Sequence, residues 1–258
     1  MSLIDLHYKL KNHNLKIDFP YDDKFTVFKI NNFLDIDSYE FIKNNFPQIN
    51  FNEFKNSFNK YTLKNKEDHY KNLIKNNHNF FKIHNFFFSK EFNNFFFKKL
   101  FLRILKSRFK DINYFLRLLK IKNFNNFKNK YFFSNLETKI EYSFLRNNAE
   151  INPHTDSIKK LISLMLYFPD NKFDENKQKN FGTEFWSTSM SNYYNKHLNS
   201  DFDKKQFKKE NKLVYKTSFE KYHLYGFIRN DLSWHSVDNI LMDNEYLRRS
   251  ININIYFS

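Results

Sequence analysis

The sequence predicts a mainly β protein with α-helices, the helices gathered in the N-terminal half and the strands in the C-terminal half. Two periodicities carry this reading. Phe92, Phe96, Leu100 and Ile104 recur every four residues, as along one side of a helix. Residues 250–255, Ser-Ile-Asn-Ile-Asn-Ile, alternate strictly, as along a strand with one buried face. The change of character falls near residue 130.

Taken in order, residues 24–30 alternate with period two and predict a strand. Asp35 to Ser38 offers N-cap residues before an apolar-periodic segment that ends near Pro47. A longer helix is predicted from Ser89, with Glu91 in its first turn. Its apolar stripe, with Lys98, Lys99, Arg103 and Lys106 around it, fits a membrane-surface helix or a helix packed on a core, and the core is the expectation. Strands are then predicted over 139–145, 151–156, 161–168, 222–228, 233–237 and 250–255. Residues 170–221 are polar and Lys/Asn-rich with few strand signals, and read as a long insertion or lid. With no internal repeat and no Gly/Ser linker, residues 1–258 read as a single domain. Within it, 1–130 form a mainly helical elaboration with one early strand, and 131–258 form the strand core.

Composition bounds the chemistry. The favoured residues, Lys, Asn, Ile, Phe and Tyr, are those of A- and T-rich codons, so composition says little about partners. The net charge of +15 comes almost wholly from Lys scattered among Asn, without the Arg forks that read nucleic acid, and a solvated surface is the expectation. The absence of Cys excludes disulfides, thiolate metal sites and Cys nucleophiles. The N-terminus lacks the apolar run of a signal peptide, and the longest apolar stretch, 161–168, is too short to span a bilayer. A cytoplasmic location is the expectation. No phosphate-cradling Gly loop and no G-x-S-x-G turn is present, so kinase, P-loop and hydrolase readings have no support.

The informative fragment is Pro153-His154-Thr155-Asp156. Residues two apart on a strand point the same way, which brings the His154 imidazole and the Asp156 carboxylate to one point. Alone, His-x-Asp is as ordinary as a capping pair. A second imidazole, His235, sits on the predicted strand 233–237. Two His and one carboxylate hold non-haem Fe(II) and leave three coordination positions free. Near the C-terminus, Arg248 or Arg249 could give a permanently charged fork to a carboxylate. Strand alternation favours Arg248, which shares a face with Ser250, Asn252 and Asn254. The remaining seven His show no ligand spacing.

His154-x-Asp156, a gap of roughly eighty residues, His235, then Arg248-x-Ser250 resembles the Fe(II)/2-oxoglutarate-dependent dioxygenase superfamily, in its prolyl-4-hydroxylase-like branch. The resemblance covers about residues 139–258, and loosely 25–47. It implies a double-stranded β-helix, or jelly roll, with the N-terminal helices packed on one sheet. It implies His154, Asp156 and His235 as iron ligands, and Arg248 as partner of the distal carboxylate of 2-oxoglutarate, with Ser250 and Asn252 on the same pocket face. Tyr167 matches a position where some relatives hydrogen-bond 2-oxoglutarate, and reads equally well as a core tyrosine. Phe181-Gly182-Thr183 falls where relatives turn into the next strand, which implies a positive φ at Gly182. The implied activity is hydroxylation by O2 of a small molecule, a sugar or lipid precursor, or a peptidyl side chain. Oxidative demethylation of nucleic acid and ligand binding without catalysis are the alternatives. Oligomeric state is not legible.

Overall fold

The computed structural model describes residues 10, 15–49, 59–109, 136–169, 179–188, 204–243 and 246–257. The change of character near residue 130 and the segments 170–178 and 189–203 of the expected insertion lie outside them. The protein is mainly β with helices, and among the described residues all strand pairings are antiparallel. In chain order the elements are β1 (Asp18–Asp22), β2 (Thr26–Ile30), α1 (Ile36–Asn44), β3 (Lys60–Lys64), α2 (Asp68–Asn76), α3 (His78–Phe87), α4 (Lys90–Phe109) and β4 (Leu136–Leu145). There follow β5 (Ile151–His154), β6 (Lys160–Phe168), β7 (Thr183–Ser187), α5 (Lys204–Glu210), β8 (Lys212–Lys216), β9 (Leu224–Ile228), β10 (Trp234–Val237) and β11 (Arg248–Phe257). A larger sheet runs β1-β2-β9-β6-β11-β4-β3 and a smaller one β5-β10-β7-β8.

The interior strand β11, between β6 and β4, shows why the layers form. Ile251, Ile253 and Ile255 are fully buried in one cluster with the helices, while Arg248, Ser250, Asn252 and Asn254 turn to a cavity between the sheets. Its neighbour β6 divides in the same way. Ile162, Leu164, Leu166 and Phe168 meet the helices, and Met165 and Tyr167 join the core between the sheets. One alternating pattern thus serves two cores.

Helix starts follow local chemistry. Asp35 caps α1, its carboxylate accepting from the Ser38 amide at 2.8 Å. Asn77 does the same for α3 from the Phe80 amide at 3.0 Å, and Ser89 for α4 from the Phe92 amide at 3.2 Å. The stripe Phe92, Phe96, Leu100 and Ile104 is buried, so α4 is a core helix. Phe87 meets Phe92, and Phe95 meets Phe96, edge to face, an arrangement that adds roughly 0.5–1.5 kcal/mol per pair beyond burial. No helix among the described residues is long and apolar enough to cross a membrane.

Two expectations need correction. The stretch 170–221 is more than an insertion over the strands, because it supplies β7 and β8, half of the smaller sheet, and α5. Their signal was hidden because β8 is half exposed and Lys-rich, and its buried partner β7 is only five residues long. Helix α5 lays Phe207 between Trp186 and Trp234 on the sheet's outer side. Gly182 is not at positive φ. It is needed for close approach, since a Cβ there would lie 1.7 Å from the Thr217 carbonyl oxygen. Left-handed positions fall instead to Asn32, Asn59 and Asn148, and to Tyr222, a substitution suited to a chain with two glycines.

The other glycine, Gly226 in β9, admits the ring of Phe28 from β2, whose Cζ would stand 2.4 Å from a Cβ. Gly226→Ala therefore overpacks the helix-side core, and is expected to lower unfolding free energy by about 1–3 kcal/mol. Urea denaturation would show a lower midpoint at unchanged slope. An unchanged midpoint would mean that the Phe28 ring can step aside.

Candidate metal centre

Strands β5 and β10 pair so that His154 and His235 are direct cross-strand partners. Their ring centroids are 4.3 Å apart. Each Nδ1 is satisfied by a backbone carbonyl two residues upstream: His154 by Asn152 at 2.8 Å and His235 by Ser233 at 3.0 Å. A carbonyl only accepts, so each Nδ1 carries the proton and each Nε2 presents a lone pair. Burial pushes both imidazoles towards the neutral form, with the His235 pKa down to about 3.

Asp156 joins them by a route that differs from the expected one. Strand β5 ends at His154, so alternation along a strand does not aim the carboxylate. Instead the chain turns, with the Lys160 amide donating to the Ser157 carbonyl at 3.0 Å. The fully buried Arg229 fixes this turn. Its Nε donates to the Asp156 carbonyl at 2.9 Å, and its backbone amide donates to Leu161 at 2.9 Å. One imidazole nitrogen each from His154 and His235 and a carboxylate oxygen of Asp156 all lie within 4.8 Å of one another.

The carboxylate has two different sides. Oδ1 accepts the Lys160 ammonium at 2.7 Å, while Oδ2 accepts the Ser163 hydroxyl at 2.8 Å and lies 3.9 Å from His235 Nε2. Burial works to raise the Asp156 pKa, but Lys160 and then the two imidazoles overcome it and hold the group well below the usual carboxylate range. The set is thus two neutral imidazoles and one ionised carboxylate, which suits a divalent first-row metal without thiolate.

These groups open on a cavity of about 220 Å³ between the sheets, below the roughly 300–1,000 Å³ of drug-sized sites. Arg248, Ser250 and Asn252 line it, as the sequence predicts. Arg248 is 4% exposed, donates from Nε to the Phe181 carbonyl at 2.6 Å, and stands against the rings of Tyr167 and Phe219 at 5.2 and 5.0 Å. Arg249 points to the other face, over Phe46 beside α1. Tyr167 packs in the core between the sheets. Its hydroxyl is engaged by Thr183 and Thr217 at 2.9 Å each, it is not among the cavity walls, and its ring supports Arg248. Sequence reading missed Arg229, Lys160 and Ser163. Only Lys160 left a trace, four residues after Asp156.

No protein-family model matches the sequence, and no curated protein matches it. Solved structures of prolyl-4-hydroxylase and of the 2OG-Fe(II) oxygenase family do match. A Pseudomonas putida prolyl-4-hydroxylase overlaps 47% of this chain and 52% of its own, about half, at 11% identity and a TM-score of 0.29. A 2OG-Fe(II) oxygenase family oxidoreductase from Burkholderia pseudomallei overlaps 99% of this chain and 90% of its own, at 8% identity and a TM-score of 0.46. HygX from Streptomyces hygroscopicus, solved with nickel, 2-oxoglutarate and hygromycin B, overlaps 48% of this chain and 57% of its own, at 9% identity and a TM-score of 0.31. Overlaps this loose leave any functional reading to rest on the site's own geometry.

Proposed function

We propose that this chain is an Fe(II)- and 2-oxoglutarate-dependent dioxygenase that hydroxylates its substrate. The observation that carries the reading is the convergence of His154, Asp156 and His235 in one cavity with the buried cation Arg248. The fold is read as a double-stranded β-helix, supported by the way strands from β4 to β11 pass between two facing sheets, with only β7 and β8 consecutive in one sheet. Residues 1–258 are read as one domain, because the N-terminal helices and β4, β6 and β11 share one core.

In this reading His154 and His235 would hold Fe(II) through their Nε2 lone pairs and Asp156 through its carboxylate, a ligand set that suits a divalent first-row metal. Arg248 is the partner of the distal carboxylate of 2-oxoglutarate. It is pre-aimed by the Phe181 carbonyl and the Tyr167 and Phe219 rings, so little side-chain freedom is lost on binding. Ser250 and Thr183 offer hydroxyls beside it, and Met165, Phe227 and Val237 supply apolar wall that excludes water. When bound, the iron and 2-oxoglutarate supply the oxidation of a C–H bond to C–OH by O2, with succinate and carbon dioxide as co-products. The cavity wall also carries Lys60, Glu141, Asn252 and Asn254. Among the described residues the two Asn amides make no side-chain hydrogen bond, which supports a polar small-molecule, sugar-like or peptidyl group over an apolar lipid chain.

Anaerobic addition of Fe(II) and then 2-oxoglutarate should give the visible charge-transfer band of the chelate, and His154→Ala should abolish it. A folded protein that gives no band would return the chain to ligand binding without catalysis. Titrating the same band separates the two arginines. Arg248→Ala should weaken 2-oxoglutarate binding by roughly 30-fold or more, since it removes the partner of a buried charge. Arg249→Ala should leave it unchanged, and the reverse pattern would move the anchor to Arg249.

A further inference from the structure

Lys160 is a charged side chain only 10% exposed, standing inside the cavity on the carboxylate of Asp156. A buried ammonium is retained where a partner compensates its desolvation, and a 2.7 Å contact to Oδ1 is that compensation. Its chain neighbour Lys159 is exposed, so Lys content alone does not account for a buried Lys at this position. The tight turn through Ser157 and the start of β6 carry Lys160 back beneath Asp156, and Arg229 locks that turn from β9's end. The arrangement is asymmetric. Lys160 takes Oδ1, whereas Oδ2 is the oxygen nearer His235 Nε2.

We propose that Lys160 is a positioning residue that confines Asp156 to a single metal-facing oxygen and lowers the affinity of the site for divalent cations. This rests on the metal reading above. Two effects act in the same direction. The ammonium withholds Oδ1, so the carboxylate binds through one oxygen and another coordination position stays open to the cavity. It also places a positive charge next to the cation, in surroundings where screening by water is weak. A site of this kind holds its metal loosely and keeps room for a chelating cosubstrate.

The test is Co(II) binding to the full chain without 2-oxoglutarate, followed by calorimetry and by the visible Co(II) spectrum. Lys160→Gln keeps an N–H for Oδ1, and so leaves the buried carboxylate partnered, but removes the charge. It should bind Co(II) roughly tenfold tighter or more. Lys160→Met also frees Oδ1, and its Co(II) spectrum should shift to that of a higher coordination number. Lys160→Arg should keep the wild-type affinity. Circular dichroism checks that each variant is folded. Wild-type or weaker binding by folded Lys160→Gln overturns the proposal while the metal reading stands. Absence of His154-dependent Co(II) binding in the wild type overturns the metal reading, and Lys160's role with it.

Discussion

The site depends on one register, that of the antiparallel pair β5 and β10, which sets His154 directly opposite His235. A slip of one residue would send one imidazole to the opposite face of the sheet. Strand β10 is held on both edges, by β5 and by β7, and the hold on the β7 side is chemical as well as geometric. Trp186 of β7 donates its indole N–H to the Ser236 hydroxyl at 2.9 Å, and Ser236 donates to the buried Glu184 carboxylate at 2.9 Å. Lys208 of α5, 3.2 Å from Glu184, compensates that carboxylate's charge. These contacts of Trp186, Ser236, Glu184 and Lys208 thus fix the strand that aims His235 inward.

Around that register the protein buries several charged side chains. Asp156, Lys160, Arg229 and Arg248 sit between or against the sheets, and each has a defined partner. Such groups are poor sources of net stability, because desolvation offsets most of the attraction. Their value is directional. Arg229 holds a backbone carbonyl, Lys160 one carboxylate oxygen, and aromatic rings brace Arg248, so a small cavity meets incoming groups with fixed charges.

Much of this was legible in the sequence, for identifiable reasons. The strands β6 and β11 carry long, clean patterns, because each buries one whole face on the helices. The spacing of His154, Asp156 and His235 named the cluster, and alternation on β11 separated Arg248 from Arg249. Strands β7 and β8 were not legible, since their identity comes from pairing with β10 and with each other. Helices α2 and α3 were hidden by Asn, His and Lys on their exposed faces. Arg229 could not have been found by pattern, because it acts on a backbone oxygen 73 residues away. Tyr167 occupies the anticipated strand position, and its hydroxyl is taken up by Thr183 and Thr217.

The central proposal is that His154 and His235, paired by the β5–β10 register, and Asp156, brought in by the turn that Arg229 fixes, hold one iron atom facing Arg248. Anomalous diffraction at the iron edge, from crystals grown anaerobically with Fe(II) and 2-oxoglutarate, tests it most directly. The account predicts a single iron peak bounded by His154 Nε2, His235 Nε2 and one oxygen of Asp156, with a carboxylate of 2-oxoglutarate on the Arg248 guanidinium. Iron bound elsewhere, or no iron at His154 and His235 in a well-ordered cavity, would contradict it.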